Sequence, residues 1–63
     1  MTAKEVVRKL EAAGWVLARQ AGSHAHFKNP NQPAALVTVA IHPGDIPIGT
    51  LKRIEKISEV RLS

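Results

Sequence analysis

The sequence predicts an α+β fold in which two helices cover one face of a three-stranded antiparallel sheet, in the order α-β-β-β-α. Three observations predict it. Apolar residues recur every three or four positions near both ends of the chain, residues 24–28 alternate strictly between polar and apolar, and the extended segments are joined by short connections. Two amphipathic helices on one side leave the other face of the sheet open.

The first helix is predicted over residues 2–13. Thr2 and Glu5 match the T-x-x-E capping box, in which each side chain satisfies a backbone N–H left unpaired at the helix start. Ala3, Val6, Val7, Leu10 and Ala13 form the apolar stripe, and Lys4, Arg8, Lys9 and Glu11 take the other side. Gly14 supplies a left-handed C-cap. Residues 15–20, WVLARQ, form a short first strand closed by the turn Ala21-Gly22-Ser23. In the second strand, HAHFK, His24, His26 and Lys28 share one side and Ala25 and Phe27 the other. Residues 29–33, NPNQP, are expected as a loop, and the β-branched run 36–41, LVTVAI, as the third strand. After the turn HPGDIP, Pro47 suits the first position of a helix, and Ile48, Leu51, Ile54 and Ile57 mark its stripe. The closing SEVRLS extends that helix or frays.

Period two then decides what the open face carries. With Phe27, Val37, Val39 and Ile41 in the core, His24, His26, Thr38, His42 and Lys28 gather on the exposed surface.

Sixty-three residues make one domain, residues 1–63. A chain of this size buries only about 60% of the surface it exposes unfolded, so its stability is marginal. There is no cysteine, which removes disulfides and thiolate zinc sites and suits a reducing cytoplasm. No apolar run is long enough to span a bilayer, and the charged N-terminus is not a signal peptide. Nine Lys and Arg against five Asp and Glu give a net charge of +4, a field that attracts polyanions, with nucleic acid first among them.

The three histidines admit a zinc site in principle, but no carboxylate lies close in sequence to orient them. Acid–base chemistry is the alternative. An imidazole both accepts and donates a proton near neutral pH, and RNA strand cleavage by the ribose 2′-hydroxyl needs both acts and no metal or cofactor. A histidine on a strand is also often only structural or solvated, and from these residues alone that reading stands beside the catalytic one.

Several features together resemble a known family. The first helix ends in Gly14 and Trp15; Arg19 follows, then Gly22-Ser23-His24 with Phe27, the turn HPGDIP, and IPIGTLKRI at 46–54. In this order and spacing, over nearly the whole chain, they resemble the HicA toxins, also called YcfA-like mRNA interferases. The resemblance implies a double-stranded-RNA-binding-domain-like fold. It implies metal-independent endoribonuclease action on mRNA, a type II toxin–antitoxin partner of the HicB kind, and a part in the stress response. The family's single catalytic histidine corresponds to His24. The chain departs from the family in its C-terminal KISEVRLS and in the small Ala25.

On this reading His24 acts as base, acid or both. Gly22 and Ser23 present it, and the Ser23 hydroxyl either touches phosphate or bonds locally in the turn. Arg19, His26, Lys28, Lys52, Arg53 and Lys56 are the remaining candidates for RNA contact. For His26 the alternative is a solvated strand residue. For Lys52 and Lys56 it is a solvated helix face. Trp15 and Phe27 are assigned to the core rather than to base stacking. A non-catalytic RNA-binding module of the same fold is the competing function.

Overall fold

The computed structural model describes residues 1–62. Its elements are α1 (Ala3–Ala12), β1 (Val16–Ala21), β2 (His24–Asn29), β3 (Gln32–Ala40) and α2 (Ile48–Ser58), the order predicted. The strands form one antiparallel sheet in the order β1-β2-β3, so β2 is the centre strand.

Both arms of the capping box close on α1. The Glu5 N–H donates to Thr2 Oγ1 at 3.3 Å, and the Thr2 N–H donates to Glu5 Oε1 at 2.9 Å. Thr2 and Ala13 are caps, so the helix proper is one residue shorter at each end than predicted. Ala3, Val6 and Leu10 are buried, with Val7 packed beside them, whereas Ala13 lies exposed at the cap. Gly14 takes φ +95°, and the Asn29 side chain stands 3.5 Å from where its Cβ would be. Buried Asn29 donates from Nδ2 to the Ala13 carbonyl (3.3 Å) and accepts the Asn31 N–H on Oδ1 (3.0 Å). One buried amide thus ties the end of α1 to the β2–β3 turn, with its polar atoms satisfied.

Residues 29–33 are not the loop expected. β2 runs through Asn29 and β3 begins at Gln32, leaving only Pro30 and Asn31 to turn. Proline is tolerated because β3 is an edge strand, and because pairing lapses there. The register passes from Asn29↔Gln32 to Phe27↔Val37, so residues 33–36 stand opposite Lys28 alone. A bulge of this size absorbs Pro33 without breaking the ladder on either side. At its other end β3 stops at Ala40, and Ile41, expected in the core, is exposed.

The stripe on α2 also differs from expectation. Leu51, Ile54 and Ser58 are buried, while Ile48 is 59% and Ile57 40% exposed. Strict three-residue spacing drifts around an α-helix. At about 100° per residue, Ile48 and Ile57 each fall roughly 90° from the midpoint of Leu51 and Ile54, and Ser58 falls almost on it. The Ser58 hydroxyl is satisfied by donating to the Ile54 carbonyl at 2.6 Å and accepting the Val60 N–H at 3.2 Å. Pro47 is the N-cap, one residue earlier than predicted, and its carbonyl accepts from the Thr50 and Leu51 amides.

The helix neither runs on nor frays. Glu59 adopts the left-handed conformation (φ 61°) and turns the chain back. The Leu62 N–H then donates to Glu55 Oε2 at 2.6 Å, and the Leu62 side chain enters the core. Of the closing SEVRLS, Ser63 lies outside the described residues. One core therefore joins Val6 and Leu10 of α1, Trp15, the inner faces of β2 and β3, α2 and the C-terminal turn. Each large apolar side chain so buried contributes roughly 1.5–3 kcal/mol.

Two consequences are measurable. Leu62→Ala should destabilise the fold by about 2–4 kcal/mol in chemical denaturation; a loss under ~0.5 kcal/mol would show the turn-back to be dispensable. The backbone and hydroxyl bonds from Thr2 hold the Glu5 carboxyl below its ordinary range. A lowered folded-state value stabilises above the unfolded-state value and is lost as pH falls through the folded one. The Tm gap between the wild type and Glu5→Gln should therefore be present at pH 7 and close in acid. A gap that persists at pH 2 would rule out the ionised carboxylate as its source.

Candidate functional site

Gly22 and Ser23 form the two-residue β1–β2 turn, with Gly22 at φ 58°. Positive φ at the first turn position alone is the pattern of a type II′ hairpin, whose twist matches the strands it joins. The space around Gly22 is open, so the glycine is required for its backbone angle. Ser23 is half-buried, and its carbonyl accepts the Ile41 N–H at 2.6 Å.

The turn delivers His24 as the first residue of β2. Ala21 of β1 and Ala40 of β3 are its partners across the ladder. Two methyl groups as lateral neighbours leave the imidazole standing clear. His24 is exposed, and among the described residues its ring has no hydrogen-bond partner. Ala25 and Phe27 are buried on the opposite side, as alternation predicts. Across Ala40 lies α2. Leu36, Thr38 and Ala40 floor a groove of about 350 Å³ between His24 and the α2 residues Thr50, Arg53 and Ile57.

His26 occupies the next row of the same face. It pairs with Arg19 of β1 and Thr38 of β3, and its Nδ1 is hydrogen-bonded to Thr38 Oγ1 at 2.9 Å. Lys28 follows, exposed and opposite Val16. His24, His26, Lys28, Arg19 and Thr38 thus share the open face. His42 lies past the end of the ladder: β3 stops at Ala40, and the His42 N–H bonds back to the Ala40 carbonyl at 3.1 Å in the turn that follows. Among the described residues, no three His, Cys, Asp or Glu side chains are placed to share a metal ion.

The basic residues of α2 divide. Arg53 lies on the groove side with Thr50 and Ile57. Lys52 and Lys56 are exposed on the helix surface facing away from the core, about 130° and 170° from the centre of its buried face. Thr50 and the apolar rim, Leu36 (46% exposed) and Ile57, escaped sequence reasoning. The helical wheel of α2 could have found Thr50 and Ile57, since both lie on Arg53's side. A larger hollow of about 510 Å³ separates α1 from β1 on the helix side of the sheet, with Lys4, Arg8 and Glu11 on its rim and neither strand histidine in it.

A sequence model described as the HicA toxin of bacterial toxin-antitoxin matches residues 3–60. The chain belongs to the HicA toxin family. Among solved structures, a chain of one described as the HicA3 and HicB3 toxin-antitoxin complex is 30% identical. The two superpose with a TM-score of 0.81 over 100% of both chains. No curated protein matches this HicA-family chain. No helix among its described residues is long and apolar enough to cross a membrane.

Proposed function

We propose that this HicA-family chain acts as a single domain that cleaves messenger RNA in the cytoplasm. It would be the metal-independent endoribonuclease of a type II toxin–antitoxin pair, with His24 as its catalytic histidine and a HicB-like antitoxin as its inhibitor. The observation that carries this reading is the unpartnered, exposed His24 imidazole on a groove that Arg53 also lines.

The chemistry follows from those groups. His24 removes the proton of the ribose 2′-hydroxyl, whose oxygen attacks the adjacent phosphorus. The P–O5′ bond breaks as the new P–O2′ bond forms, giving a 2′,3′-cyclic phosphate, and the departing 5′-oxygen takes up a proton. Negative charge grows on the phosphorane between these events. Arg53 on one side of His24, with Arg19 and Lys28 on the sheet, supplies fixed positive charge for it. The nucleophile belongs to the RNA, so the residues on this face suffice. Leu36 and Ile57 give a base or an antitoxin an apolar footing beside the histidine. The relative whose structure is described as a HicA3 and HicB3 complex supports a HicB-like protein as the partner, and one seated over this groove would silence the histidine.

Induced in cells, the wild type should halt growth and fragment mRNA, and His24→Ala should do neither; equal toxicity of the two would remove His24 from the mechanism. A non-catalytic module would bind RNA and leave it intact after long incubation with purified protein. For binding to RNA with a 2′-deoxy nucleotide at the cut site, Arg53→Ala should weaken affinity and reduce the salt slope by about one. Lys52→Ala should change it less. The reverse order would move the RNA track out of the groove and onto the outer face of α2.

A further inference from the structure

We propose that His26, oriented by Thr38, is the general acid of the cleavage, protonating the departing 5′-oxygen while His24 acts as base; this rests on the endoribonuclease reading of His24. The family resemblance assigns one histidine. This chain carries two on the same strand face, and their surroundings differ.

His24 and His26 are two residues apart on β2, so their Cα atoms are about 6.6 Å apart and both rings rise from the open side of the sheet. In-line displacement puts the attacking and leaving oxygens on opposite sides of phosphorus. Each proton carrier must sit a hydrogen bond beyond its own oxygen, so with the O–P–O span included the two nitrogens stand roughly 9 Å apart, a distance rings rooted about 6.6 Å apart span by leaning away from each other. Two rings rooted at this spacing can flank one phosphate. A single imidazole would have to travel from one oxygen to the other within a turnover.

The partners distinguish the roles. The His24 ring has no hydrogen bond among the described residues, leaving a nitrogen to accept the hydroxyl proton. His26 is tethered through Nδ1 to Thr38 Oγ1, which restrains the ring and leaves Nε2 as the nitrogen not engaged by Thr38. The Thr38 hydroxyl accepts from Nδ1–H when the ring is protonated, so the imidazolium presents Nε2–H to the leaving oxygen. The charged and titratable groups facing His26 are Arg19 from β1, and His24 and Lys28 along its own strand; β3 presents Thr38. Arg19, paired with His26 across the ladder, places a fixed positive charge beside the developing phosphorane. The proton count balances: His24 gains the 2′-hydroxyl proton, His26 gives one to O5′, and solvent restores both rings before the next turnover.

The test uses a leaving group that needs no acid. The bond cut by the wild type is first mapped on an oligoribonucleotide. That RNA is then made twice, with the ordinary 5′-oxygen and with sulfur replacing it at the mapped bond. On the oxygen substrate His24→Ala and His26→Ala should each lose about 10²-fold or more in single-turnover rate. On the sulfur substrate His26→Ala should recover most of its loss and His24→Ala should not. Thr38→Val should show a smaller loss that the sulfur substrate also recovers, with unchanged affinity for the 2′-deoxy RNA. If His26→Ala cuts the oxygen substrate at the wild-type rate, or stays equally slow on both, His26 is not the acid, while His24 as catalyst survives. Recovery by His24→Ala instead would reverse the assignment and overturn it. If the wild type cuts neither RNA, or neither histidine variant is slowed, the endoribonuclease reading of His24 fails and this inference falls with it. Circular dichroism melts of the variants, all at exposed or half-exposed positions, should match the wild type.

Discussion

β2 is hydrogen-bonded on both sides, and Phe27 and Ala25 anchor its inner face in the core. This constraint governs everything on the other face. A strand locked at both edges cannot slip by one residue without pulling an aromatic ring out of the core and driving imidazoles into it. The display of His24, His26 and Lys28 is therefore enforced by apolar packing they take no part in. The small partners Ala21 and Ala40 add to this by leaving the first histidine unobstructed.

The groove beside His24 depends on a second geometric fact, the rotation of α2 about its own axis. Leu51, Ile54 and Ser58 set that rotation by facing the core. Thr50, Arg53 and Ile57 are thereby turned toward the edge of the sheet, and Lys52 and Lys56 away from it. A buried serine at the centre of the packed face is tolerated because its hydroxyl satisfies the Val60 amide and caps the end of the helix. The same turn allows Leu62 to complete the core. Helix rotation, C-terminal return and placement of the arginine are aspects of one packing solution.

Local signals carried much of this in the sequence. The T-x-x-E box, the glycine at position 14 and the alternation of residues 24–28 each act through near neighbours in the chain, and all stand in the fold. The placement of the candidate residues was legible to the same depth: His24 and His26 sit on the open face because period two put them there. What sequence could not show depends on distant partners. Asn29 looked like loop composition because its burial needs the Ala13 carbonyl, sixteen positions away. Pro33 looked like a strand breaker because the bulge opposite Lys28 exists only once β3 is paired. His42, read as the first residue of the HPGDIP turn, was placed on the open face by continuing period two past the point where pairing ends. Ile48 and Ile57 fitted a three-residue count that the helix does not keep.

β1 has one further property. None of its side chains is buried, so it is held to the molecule chiefly by its ladder with β2. Local stability follows buried contact, and a strand held mainly by backbone bonds opens at less cost than the elements it borders. Its ladder amides should trade protons with solvent sooner than those that join β2 to β3. Each such opening carries Arg19 away from the histidine row while the core stays closed. Arg19's share of the positive charge would then come and go on a clock separate from global unfolding, while Lys28 and Arg53 stay in place.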